Sequence, residues 1–174
     1  MSYNLTAAAF GGNMVTSRAG GATANLVTGG AVTTFTPQSI TFSVGGKGQF
    51  AASGTIGTAS PTTDAVTGIA FRGVTPNQGC AFVWCLTAAG AIRVVQGPLT
   101  GANSVDDNGV WANVPQFPAI PDTLTPISYS IVRAASTASA AGWLLGTNNF
   151  TTVTGITVAT AQDVFLLPAT PQTS

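Results

Sequence analysis

The chain has 174 residues, 45% of them apolar and only 6% charged, with five Lys plus Arg set against five Asp and with neither Glu nor His. An ordinary soluble domain carries about 25% charged residues, and intrinsic disorder combines low hydrophobicity with high net charge. Disorder is therefore not expected, and a neutral globular domain that folds without disulfides and buries ~70% of its unfolded surface is. With so little charge repulsion between copies, association is expected as well.

From Met1 to Pro37 the sequence is mostly Gly, Ala, Thr and Asn, with isolated larger residues such as Phe10, Met14, Val15, Leu26 and Phe35. Neither the helical nor the strand period persists there. This predicts an extended arm over 1–37, with at most short strands, ahead of a single β-domain over 38–174 that ends in a short tail. Stretched out, such an arm reaches ~120 Å. Having few apolar anchors of its own, it is expected to be fixed by neighbouring chains. No apolar run approaches the ~18 residues of a membrane span, and MSYNLTAAAFGGNM lacks the basic and apolar regions of a secretory leader, so synthesis in the cytosol is expected.

Beyond the arm, Ser39 to Val44 alternates Ile40, Phe42 and Val44 with Ser39, Thr41 and Ser43, the pattern of a half-buried strand. Gly45, Gly46, Lys47 and Gly48 turn it into a partner over Gln49 to Ala52. A Ser/Thr/Pro loop leads to a further strand, Ile69 to Val74. The strongest hairpin joins Cys80–Leu86 to Ala91–Gln96 through Thr87, Ala88, Ala89 and Gly90. In its first strand Phe82, Trp84 and Leu86 share one face and Ala81, Val83 and Cys85 the other, which predicts a central strand covered on both sides by a second sheet or a subunit. Pro115, Pro118, Pro121 and Pro126 make Val114–Pro126 an extended surface segment. Ile127–Arg133 should be a strand with Ile127, Tyr129 and Ile131 on one face. AASTASAAG reads as a short helix or a loop. Trp143–Leu145, Phe150–Thr160 and Asp163–Leu167 complete eight or nine short strands, which predicts an all-β fold, a β-sandwich or barrel.

Candidate chemistry is sparse. Without His, no Ser/His/Asp or Cys/His site can form within one chain, and only Asp64, Asp106, Asp107, Asp122 and Asp163 are left for acid–base work. Asp106 and Asp107 are adjacent and would diverge in a strand. With Asn108 and Gly109 they resemble a fragment of a calcium loop, but the chain has no Glu to close it, and a polar turn is the simpler reading. Cys80 and Cys85 would lie ~16 Å apart in a strand, too far for a disulfide, so both are expected as free structural thiols. The Gly pairs match no phosphate loop. Arg18, Lys47, Arg72, Arg93 and Arg133 are scattered, which gives nucleic acid no footprint. Trp84 and Trp143 read as core, whereas Trp111, after DDNGV, is the better candidate for a ligand or subunit contact. No catalytic, cofactor-binding or metal-binding residue is assigned, and neither a cofactor nor a membrane partner is expected.

The stretch from Lys47 to Pro98, followed by VPQFPAIPDTLTPISYSIVRA, resembles small virion structural proteins of tailed bacteriophages, a group often found on the outside of the head. The resemblance rests on PTTDAVTG, TPNQGCAFV, AAGAIRVVQGP and PQFPAIPDT. It implies a virion structural protein, a head decoration (cement) protein that stabilises the capsid, located on the capsid surface after synthesis in the host cytoplasm. The implied partners are the major capsid protein and copies of itself in a homo-oligomer such as a trimer. A head-fibre base, a tail or adhesion protein and a carbohydrate-binding β-module are the alternatives.

Overall fold

The computed structural model describes residues 13–18, 39–52, 59–148 and 153–171. Among these there is no helix, and seven strands are present: β1 (Val15–Arg18), β2 (Ile40–Val44), β3 (Lys47–Ala51), β4 (Gly79–Thr87), β5 (Ile92–Gln96), β6 (Leu124–Ala134) and β7 (Ile156–Asp163). They form two antiparallel sheets, β1-β2-β3 and β5-β4-β6-β7, stacked as a β-sandwich.

The hairpins follow the turn chemistry. Gly45 and Gly46 both take positive φ between β2 and β3, the backbone of a two-residue turn that suits strand twist. Gly90, at φ 77°, closes the turn from β4 to β5.

The two faces of β4 divide as the alternation predicts. Phe82, Trp84 and Leu86 lie in the core between the sheets with Val15, Ile40 and Phe42. Phe71 and Trp143 flank Phe82 edge-on, with ring centroids 5.8 and 5.9 Å away. Ala81, Val83 and Cys85 belong to a second cluster with Tyr129, Ile131, Val164 and Leu167. Its cover is the chain's own Pro-rich segment, which brings in Phe117 and Ile120, Phe117 meeting the Tyr129 ring at 5.0 Å. Thus one face of β4 has a sheet over it and the other an irregular strap.

Several expectations change: the strand read over Asp163–Leu167 is absent, because β7 ends at Asp163 and the chain beyond it is irregular. Ile69–Val74 and Trp143–Leu145 are not strands but touch through single bridges, Thr63 to Ala70 and Val74 to Trp143. Strand β6 begins at Leu124, so Pro126 lies inside a central strand. It is accommodated because the β4 register shifts there: Trp84 faces Ser128 and Cys85 faces Pro126, leaving Ile127 as an extra, bulged residue. The bulge turns Ile127 into the inter-sheet core, away from Tyr129 and Ile131. The stretch AASTASAAG forms turns.

Within the segment read as an arm, residues 13–18 are built into the body, whereas 1–12 and 19–37 lie outside the described residues.

Candidate interaction surface

A cleft of about 400 Å³ opens beside β5, lined by Asp64, Val66, Thr67, Ile69, Ala70, Arg72, Val95, Gln96, Gly97, Pro98, Pro118 and Ala119. Two of its apolar side chains, Val66 and Ile69, are 56% and 62% exposed. Asp64 fixes the turn that carries Val66 and leads to Ile69. Its Oδ1 accepts from the N–H groups of Val66 (3.0 Å) and Thr67 (2.8 Å) and from the Thr67 hydroxyl (3.0 Å), which shapes the 64–68 turn. Its Oδ2 accepts from Gln96 N–H at 2.7 Å, and Ala65 N–H donates to the Val94 carbonyl at 2.9 Å, so the turn is clipped onto β5. Gln96 continues the clip: its side-chain amide accepts from Arg72 N–H and donates to the Arg72 carbonyl, both at 2.7 Å. That exchange imitates a strand pair along the outer edge of β5.

Burial by itself would raise the Asp64 pKa, but the donors from Gln96, Thr67 and Val66 together hold it below the ordinary carboxylate value. A carboxylate kept ionised by four donors is a structural anchor and a poor general base. The far wall is equally fixed, because a Cβ on Gly97 would come within 2.4 Å of the Gln116 carbonyl oxygen and 3.0 Å of that of Ala81. Only Gly lets the Pro-rich strap lie this close to the end of β5.

A second assembly of polar residues lies where the two sheets meet. Asn13, 1% exposed, donates through Nδ2 to the carbonyls of Asp122 (2.6 Å) and Leu124 (2.9 Å) and accepts from Gly45 N–H at 2.6 Å. Val15 N–H donates to the Phe165 carbonyl at 2.9 Å while Ser43 N–H donates to the Met14 carbonyl at 2.8 Å. Strand β1 therefore lies between β2 and the chain following β7. At its end Arg18 donates to the carbonyls of Ile127 and Val164 and faces Asp163 at 3.6 Å. Desolvation lowers the Arg18 pKa and Asp163 opposes that fall, but an arginine starts so high that the cation persists. Phe165, 54% exposed, stacks its ring 5.9 Å from the Arg18 guanidinium carbon.

The remaining residues singled out from sequence fall into structural roles. Asp106 caps its own turn by accepting from Val110 N–H at 2.8 Å. Asp107 accepts from both the N–H and the hydroxyl of Ser136 at 2.7 Å, bonds that lower its pKa. The two carboxylates thus serve different partners. Asp122 contributes its carbonyl to Asn13. Trp84 and Trp143 are buried in the inter-sheet core. Trp111 packs its ring over Gly79, where a Cβ would lie 2.4 Å away, so its environment is the strap and β4. Cys80 and Cys85 are free and buried on opposite faces of β4. Burial pushes the Cys80 thiol up to about 12 and the Cys85 thiol higher still. Asn13 and Gln96, which tie the body together, carry no periodic signal and are missed by pattern reading.

These features define an all-β sandwich whose notable surface is an apolar cleft walled by loops. Comparison with protein families, with characterised proteins and with solved structures gives no match.

Proposed function

We propose that this protein is a structural component of a tailed-phage virion, a decoration protein that binds the outer surface of the head and stabilises the assembled shell. The observation that carries the reading is a convergence: three of the four segments behind the resemblance, residues 61–68, 88–98 and 115–123, meet around the Val66–Ile69 cleft. They contribute Asp64, Val66 and Thr67, then Val95 to Pro98, then Pro118 and Ala119. Exposed apolar groups on a rigid, hydrogen-bonded loop suit contact with another protein.

The physics favours many weak contacts over one strong contact. Burying apolar surface yields ~25 cal/mol per Å², so a contact the size of this cleft gains no more than the ~4–15 kcal/mol that losing translational and rotational freedom costs. One cleft is therefore marginal by itself, whereas copies linked to one another on a lattice gain from effective concentration. A ligand that binds only the assembled shell then stabilises it by mass action. The major capsid protein and further copies of this chain are the partners in this reading, and the capsid surface is its location. A glycan-binding module would use exposed aromatic faces, and two of the three tryptophans are in the core.

Gold-labelled antibody on intact particles, with copy counting by mass spectrometry, tests the reading. Label over the head in many copies is the expected result. Label confined to the tail would replace it with the tail or adhesion alternative.

A further inference from the structure

We infer that strand β1 is exchanged between copies of this chain, the β1 of one copy seating in the slot that a neighbour forms from β2, the start of β6 and the Val164–Phe165 backbone. The inference concerns free copies and does not rest on the capsid reading.

The seating contacts reach far along the chain. Among the side-chain hydrogen bonds the nearest, from the Thr16 hydroxyl to the Thr41 carbonyl, spans 25 positions, and those of Asn13 with Asp122 and Arg18 with Val164 span 109 and 146. The slot is thus made by parts of the fold remote from β1 in sequence, and it presents the same groups to β1 whichever copy supplies the strand.

Connection length permits the exchange. Arg18 and Ile40 are cross-strand neighbours, yet residues 19–39 join them. In a tight hairpin of ~2–5 residues the turn itself would have to open before the strand could reach a neighbour. A connection of this length can span ~70 Å when extended. Because the contacts are alike in both arrangements, loop closure alone sets the preference, and the effective concentration of a tethered segment is of millimolar order. Copies crowded to that concentration should share strands.

The strand itself carries little buried apolar surface. Within β1 only Val15 is fully buried, and Thr16 and Ser17 are exposed. Its specificity comes from directional groups at the two ends, three hydrogen bonds on Asn13 and the carbonyl and Asp163 contacts of Arg18. A slip of one residue breaks both sets, so the slot selects this segment of an identical chain.

The test uses Ser17 and Thr41, which face each other between β1 and β2. Full-length chains carrying Ser17→Cys are mixed with chains carrying Thr41→Cys, unfolded and refolded together from micromolar to about millimolar concentration, then oxidised. The buried Cys80 and Cys85 stay in place. A mixed disulfide dimer that increases about tenfold or more across that range is expected. The double variant Ser17→Cys/Thr41→Cys should close within one chain at the low end, showing that the pair is competent. Internal closure of the double variant with no mixed dimer at any concentration would overturn the inference. So would unmodified protein that sediments as a monomer through the millimolar range.

Discussion

The side-chain amide of Asn13 donates to the main-chain carbonyl of Leu124 at 2.9 Å, joining parts of the chain 111 positions apart. The same side chain bonds Asp122 and Gly45, so it locks the β2–β3 turn to the start of β6. Asn13→Ala would leave the buried Leu124 carbonyl, and the partly buried Asp122 carbonyl and Gly45 N–H, without this partner, at ~1–3 kcal/mol for each group that water cannot reach. A loss of about 2–4 kcal/mol in urea unfolding is expected. A change under about 0.5 kcal/mol would mean that water takes over these bonds.

Gly97 and Gly48 offer a matched contrast. A Cβ at Gly97 meets carbonyl oxygens of Gln116 and Ala81, backbone atoms that cannot swing aside, whereas a Cβ at Gly48 meets nothing within 4 Å. Gly97→Ala should destabilise by about 2 kcal/mol or more through overpacking. Gly48→Ala should be neutral or slightly stabilising, since an alanine loses less backbone entropy. Thermal unfolding of the two variants side by side checks the contrast.

Asp64 gives acid sensitivity a defined sign. Its folded pKa lies below the unfolded value, so its contribution is fully present above about pH 4 and is lost as pH falls through the folded value. Asp107 shifts the same way and adds to the same limb. Asp64→Asn keeps one acceptor but replaces the other, which Gln96 N–H requires, with a donor. Urea midpoints should be lower for this variant at pH 7, and the gap should narrow toward pH 2–3. A gap that stays constant with pH would contradict the assignment of Asp64 as an ionised anchor.

Burial that holds the Cys80 thiol at about 12 and raises Cys85 further keeps both in the unreactive protonated form. Alkylation at pH 8 should be slow in the native protein, and intact mass should show two modified thiols after unfolding. Rapid native labelling of either residue would contradict its placement, and absence of labelling after unfolding would indicate a disulfide.

What was legible in the sequence was whatever alternation could encode. The faces of β4 read correctly because each residue from Cys80 to Leu86 is apolar and the two-residue period assigns it a side. Ile127 did not, because a bulge resets that period and Pro126 marked only that something irregular was near. Residues 13–18 hid for another reason: NMVTSR is held chiefly by polar groups bonding to the chain beyond residue 120 and to β2, and such bonds leave no local pattern. The cleft was equally invisible, since it exists only where three separate loops and the edge of β5 meet.

Binding to isolated, expanded heads that lack this protein is the most direct test of the decoration reading. Saturable binding in many copies per head and a raised temperature of shell disruption are predicted. Val66→Asp and Ile69→Asp, both at exposed positions and checked for native unfolding behaviour, should weaken binding by about tenfold or more, the cost of placing a charge in an apolar contact. Failure of the wild-type protein to bind heads, or equal binding by the two variants, would contradict the account.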